Sequence, residues 1–314
     1  MTTYFIDLRA DSVGGNPVTD PGDVVIRSDI EQNPNPARPL DASLLQAIQG
    51  RDVLLGTHGF HVSRANGIAN LSHWNEWFDL GPNGLFVGVL WPGDSRWVPF
   101  IDYPFEGDEA IKSGKLLGKY LVAKFLSAAT LSFASHSLGA RVVLEAIRGL
   151  SGSPKLKTLT LMAAAIDDTC LNNEYQDVAQ SIERISVLAS HCDEVLKWAF
   201  PGGNLLSGII TKGEPYWDGA LGRYGPNPPD RPSELFGSPV LPDSWRFGHS
   251  SYINCSGAVS GPPLESGQFG PLPLVVPSDP QAPLPPGALA QPSGTEMQNW
   301  RQAWAAGFVS SRYR

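Results

Sequence analysis

Apolar residues in this chain fall into short, nearly unbroken runs, separated by stretches in which they recur every three or four positions. The runs at Tyr4–Arg9, Val24–Arg27, Asp52–Thr57, Leu85–Trp91, Thr130–Ser135, Thr158–Ala164 and Ile185–Ala189 predict strands. Several are apolar at consecutive rather than alternate positions, as strands are when both of their faces are covered. Between them, Ile111, Gly114, Leu117, Leu121 and Phe125 mark one helix face, and Val143, Ala146, Ile147 and Leu150 mark another. Strands alternating with helices predict an α/β domain: a mostly parallel central sheet with helices on both faces.

The pattern fails in two places. Residues 201–248 are rich in Gly and Pro and read as a long excursion near the sheet. Residues 257–292 carry prolines at 262, 263, 271, 273, 277, 280, 283, 285, 286 and 292, which excludes a helix or a central strand. The expected organisation is one domain over 1–256 and a Pro-rich extension over 257–314. The extension also holds Leu264, Phe269, Leu272, Leu274, Val275 and Val276, so part of it is expected to pack on the domain as a belt. It ends in a short helix over Glu296–Arg312, with Trp300, Trp304 and Phe308 on one face.

Composition narrows the class. A net charge of -8, with no basic cluster to reverse it locally, argues against nucleic-acid binding. The 3 cysteines, Cys170, Cys192 and Cys255, do not make a disulfide framework and fit a reducing compartment. The first residues show neither a basic region nor a long apolar one, and no stretch approaches a membrane span, so the expected setting is cytoplasmic.

The chemistry concentrates in a few turns. Ser135-His136-Ser137-Leu138-Gly139 lies between an apolar strand and an apolar-periodic helix. That context suits a nucleophile elbow, a sharp turn that lifts a serine hydroxyl above the strand ends and aims the first helical amides at a reacting carbonyl. The usual motif has glycine where Ser135 stands; serine is small enough to replace it. Ser137 at the apex is the candidate nucleophile. Upstream, His58-Gly59-Phe60 follows a buried strand, where a second oxyanion donor belongs, so the amides of Phe60 and Leu138 are the candidate oxyanion hole. His58 reads as a structural histidine bracing that loop. A metal site on His58 and His61 lacks the further ligands it would need.

The candidate acid is Asp193, just past the strand at Ile185–Ala189. A helix N-cap is the competing role for that residue, and Asp167 and Asp168 are the rival acids. The candidate base is His249, preceded by a flexible glycine; His191 lies too near Asp193 in sequence to pair with it. Ser137, Asp193 and His249 then follow the order nucleophile, acid, base.

Taken together, His58-Gly59-Phe60, Leu90-Trp91-Pro92-Gly93-Asp94, Ser135-His136-Ser137-Leu138-Gly139-Ala140-Arg141, Ser190-His191-Cys192-Asp193-Glu194-Val195-Leu196 and Gly248-His249-Ser250 resemble the alpha/beta-hydrolase family of unknown function DUF900, over roughly residues 50–255. The resemblance implies the α/β-hydrolase fold and a triad, but no substrate. The expected activity is that of a serine hydrolase, esterase- or lipase-like, acting on a small-molecule ester or related acyl compound without cofactor or metal. The alternatives are an acyltransferase and a non-catalytic binding protein on the same fold. Trp91, Trp97, Phe100, Tyr103, Phe105, Trp198, Phe200, Tyr216 and Trp217 crowd the segments expected around the site, and either suit an apolar or aromatic substrate group or only pack the cap over it.

Overall fold

The computed structural model describes residues 3–10, 21–29, 40–77, 80, 82–93, 103–150, 154–197, 219–227, 243 and 248–250. Seven strands form one sheet: β1 (Tyr4–Arg9), β2 (Pro21–Ser28), β3 (Asp52–Thr57), β4 (Gly84–Leu90), β5 (Thr130–His136), β6 (Lys155–Met162) and β7 (Arg184–Leu188). Their order is β2-β1-β4-β3-β5-β6-β7. Among these described strands only the β1–β2 pair is antiparallel; every other pair is parallel. Pro21 opens β2 at the sheet edge, where its missing N–H costs no ladder bond.

All seven residues of β4, Gly-Leu-Phe-Val-Gly-Val-Leu, are buried. Successive strand residues face opposite sides, so both faces of the sheet are covered. The helices α1 (Leu40–Ala47), α2 (Arg64–Trp77), α3 (Tyr103–Lys124), α4 (Gly139–Arg148) and α5 (Gln176–Ser181) lie between the strands in sequence. α2 packs on β3 and β4, α4 on β3 and β5, and α3 runs along α4. Among the described residues no helix is long and apolar enough to cross a membrane.

The strands lie where the apolar runs predict them, with shifted ends. β6 starts earlier and stops earlier than Thr158–Ala164, because Ala163 takes a left-handed φ of 46° that no strand continues through. Helix α2 has no counterpart in the apolar periodicity. Its inward face is built from Gly67, Asn70, Leu71 and Trp74, all buried, so polar and featureless residues fill half of a core stripe. The expected tail over 257–314, its belt and its terminal helix lie outside the described residues. So does most of 201–248.

Candidate active site

The loops after β3, β4, β5, β6 and β7 meet at the carboxyl ends of the parallel strands, where open α/β sheets collect reactive groups. Between β5 and α4 the chain turns within two residues. Ser137 has φ 53°, a left-handed backbone that is uncommon for a residue other than glycine. Three main-chain bonds hold it there: Ser137 N donates to Met162 O at 2.9 Å, and Ser137 O accepts from Ala140 N at 3.1 Å and Ala165 N at 3.2 Å. Gly139 is required by close approach, since a Cβ on it would lie 2.4 Å from the carbonyl oxygen of His58. Ser135, in the place of the usual glycine, is fully buried, and its hydroxyl has no hydrogen-bond partner among the described residues.

The turn brings distant residues to Ser137. His249 Nε2 lies 2.9 Å from Ser137 Oγ, and His249 Nδ1 lies 2.8 Å from Asp193 Oδ2. Asp193 is completely buried. Its other oxygen, Oδ1, accepts the amide of Leu196 at 2.9 Å, so the residue also caps the helical turn at 194–197. One carboxylate oxygen thus faces His249 and the other makes the N-cap bond. Its main-chain oxygen accepts a bond from Nη1 of Arg223, a buried residue of the short helix Leu221–Tyr224.

The rival acids lie in the turn after β6. Asp167 Oδ1 accepts from the amide and hydroxyl of Thr169. The main chain of Asp168 binds Gly219 O through its amide and Asn227 N through its carbonyl. They tie the turn after β6 to the segment 219–227. His191 Nδ1 lies 3.6 Å from Asp243 Oδ1, not beside Asp193.

The loop after β3 is held on all sides. His58 Nδ1 is 2.8 Å from Gly59 O, and its Nε2 accepts the amide of Trp91 at 3.3 Å. Those partners fix a neutral imidazole with its proton on Nδ1. Burial pushes the His58 pKa down to about 3, which agrees. Trp91 stacks on the same ring, and its indole N–H donates to His58 O at 2.9 Å. Arg9 Nη1 donates to Val62 O at 3.0 Å and Trp91 O at 3.1 Å. Asp7, fully buried on β1, pairs with Arg27 and with Arg64. Gly59 touches the elbow directly: a Cβ there would meet Ser137 Cβ at 2.9 Å and His136 Nδ1 at 2.8 Å. Phe60 and Leu138, each one residue beyond this contact, have amides that donate to no acceptor among the described residues. Leu138, the N-cap of α4, makes no side-chain cap, so the positive end of the helix is open.

Several residues here carry no signal in the apolar pattern. Arg9, Arg223 and Trp91 act on main-chain oxygens far away in sequence, which no spacing reveals. His136 lay inside the elbow motif; its Nε2 is 2.7 Å from the main-chain oxygen of His249. Trp91, one of the aromatics expected around the site, is fully buried and spends its indole on His58. Trp97, Phe100, Trp198, Phe200, Tyr216 and Trp217 lie outside the described residues. Among the described residues no three of His, Cys, Asp or Glu are placed to hold a metal ion.

The sequence model of a family described as alpha/beta hydrolase of unknown function (DUF900) matches residues 40–211, more than half of the 314. No curated protein matches the chain. Among solved structures, a novel cutinase-like protein from Cryptococcus sp. matches at 15% identity and a TM-score of 0.26, over 40% of this chain and 58% of that one. The match thus spans little more than half of that protein's length, and the likeness is too slight to bear on chemistry.

Proposed function

We propose, from the premise that this chain belongs to the DUF900 family of alpha/beta hydrolases, that it is a serine hydrolase acting on a carboxylic ester or related acyl substrate through an acyl-enzyme on Ser137. The observation that carries the reading is the unbroken line Ser137 Oγ, His249, Asp193, with contacts of 2.9 and 2.8 Å, at a strained strand-to-helix turn.

The chemistry follows from where the protons sit. His249 donates Nδ1–H to Asp193 Oδ2, which leaves the Nε2 lone pair facing the Ser137 hydroxyl. As Oγ attacks the acyl carbon, Nε2 takes its proton, and Asp193 holds the imidazolium that forms. The carbonyl oxygen becomes an oxyanion, received by the amides of Phe60 and Leu138, each worth roughly 3 kcal/mol as an aimed donor. The leaving group departs with the proton from Nε2. Water, deprotonated by the same nitrogen, then releases the acid and restores Ser137. Arg223 and the Asp193 carboxylate's bond to Leu196 keep the acid in place.

A fluorophosphonate probe tests the reading, because only an activated serine reacts quickly. The intact protein should label at Ser137, while Ser137→Ala and His249→Ala should not. On a p-nitrophenyl ester each variant should lose nearly all activity, and the double variant should be little worse, since the residues act as a unit. Absence of labelling in the intact protein would favour a binding protein on the same fold. A product ester or amide formed with an added alcohol or amine, in preference to hydrolysis, would favour an acyltransferase.

A further inference from the structure

One buried imidazole beside the nucleophile has no part in that reaction. His136, the last residue of β5, precedes Ser137 and is nearly fully buried. Its Nε2 lies 2.7 Å from the main-chain oxygen of His249, a contact across 113 residues of sequence. A carbonyl oxygen only accepts, so Nε2 must carry the proton and donate. The two rings stand 4.8 Å apart at 56°, so they meet obliquely. The other side of the His136 ring abuts Gly59, where a Cβ would come within 2.8 Å of Nδ1. The imidazole therefore sits between the loop that carries the candidate oxyanion donor and the loop that carries the candidate base.

We propose that His136 is a positioning residue of the active site: its neutral imidazole ties the main chain of His249 to the elbow and so sets the distance from base to nucleophile. The proposal rests on the serine-hydrolase reading above. The triad residues fix the His249 ring at its two nitrogens, but side-chain bonds alone leave the backbone behind it free to shift. His136 supplies the third point. It grows from the same strand end as Ser137, so base and nucleophile share one rigid support. Burial also pushes the His136 pKa down to about 3, which keeps the ring uncharged beside an imidazolium that forms at His249. A misplacement of about 1 Å at such a site costs on the order of 100-fold in rate.

The test uses the full chain with His136→Leu, which removes the donor, and His136→Gln, whose side-chain N–H reaches the Nε2 position. Active sites are titrated with the fluorophosphonate, and kcat and KM are read on a short p-nitrophenyl ester per titrated site. His136→Leu should lower kcat about 10- to 100-fold while KM moves less than about threefold, and His136→Gln should recover most of that loss. A kcat per site equal to that of the intact protein in His136→Leu overturns the proposal, as does a His136→Gln no better than His136→Leu. If His136→Leu fails to fold, nitrogen-15 NMR of the intact protein decides. A neutral ring protonated on Nε2 at neutral pH supports the proposal, and a charged ring or one protonated on Nδ1 overturns it. An intact protein that does not label at all marks the failure of the hydrolase reading, and the proposal falls with it; the NMR result separates that case from a His136 that makes no bond.

Discussion

Lowering the pH should weaken this fold through two histidines that take no proton in it. Burial is the largest cause that brings His58 and His136 from 6.5 down to about 3. Their unfolded values stay near 6.5, so between about pH 6.5 and 3 the unfolded chain binds protons that the folded chain refuses. Their contribution is complete above the unfolded value and is lost as pH falls toward the folded one. For each ring, acidifying from about pH 7.5 to 5 removes about 2 kcal/mol, and for both together about 4 kcal/mol. That is a large share of the roughly 5–15 kcal/mol that holds an ordinary domain together. Urea unfolding of the intact protein and of His136→Gln at both pH values isolates the effect. Carboxylates and the remaining histidines contribute equally to both proteins and cancel in the difference. The intact protein should lose about 2 kcal/mol more than the variant on acidification. An identical loss in both would refute the claim that His136 is held neutral by burial.

Three further outcomes are expected. Asp193→Asn should cut kcat by orders of magnitude, since an amide favours the wrong His249 tautomer, and Asp193→Ala should add a loss of about 1 kcal/mol in melting experiments from the missing helix cap. Gly59→Ala should lower activity sharply, because its Cβ meets Ser137 Cβ at 2.9 Å and His136 Nδ1 at 2.8 Å; wild-type kcat would refute the close approach. Limited proteolysis should spare part of the chain beyond residue 256 if the Pro-rich stretch packs as a belt, whereas trimming to about residue 257 with melting temperature and activity unchanged would exclude it.

The sheet was readable because β3, β4 and β5 are buried along almost their whole length and carry consecutive apolar residues such as Val53-Leu54-Leu55 and Leu85-Phe86-Val87, a demand that two covered faces impose on sequence. Helix α2 was not, because Asn70 and Gly67 occupy core-facing positions and leave only a broken stripe. The partners at the site follow the same division. Ser137, Asp193 and His249 are reactive types set after strands or in a loop, in an order that constrains them mutually. Arg223, Arg9 and Trp91 instead bind main-chain carbonyls, and any residue type offers a carbonyl, so nothing in the sequence marks the acceptor. His136 could have been singled out as a titratable residue next to the nucleophile, but its partner is also a carbonyl.

The order in which the site is completed has a consequence for the newly made chain. His249 lies 112 residues beyond Ser137, after the last described strand of the sheet. Chains fold from the N-terminus as they are synthesised. Ser137, the loop at Gly59 and Asp193 all belong to the part made first, and β1 to β7 have all been made before residue 249 is added. Until then, on the proposed reading, Ser137 lacks the His249 ring that takes its proton. On the proposed reading, a ribosome-bound intermediate of this protein would carry the seven described strands and an inert serine, and chemistry would switch on only when the His249 loop docks on His136 and Asp193.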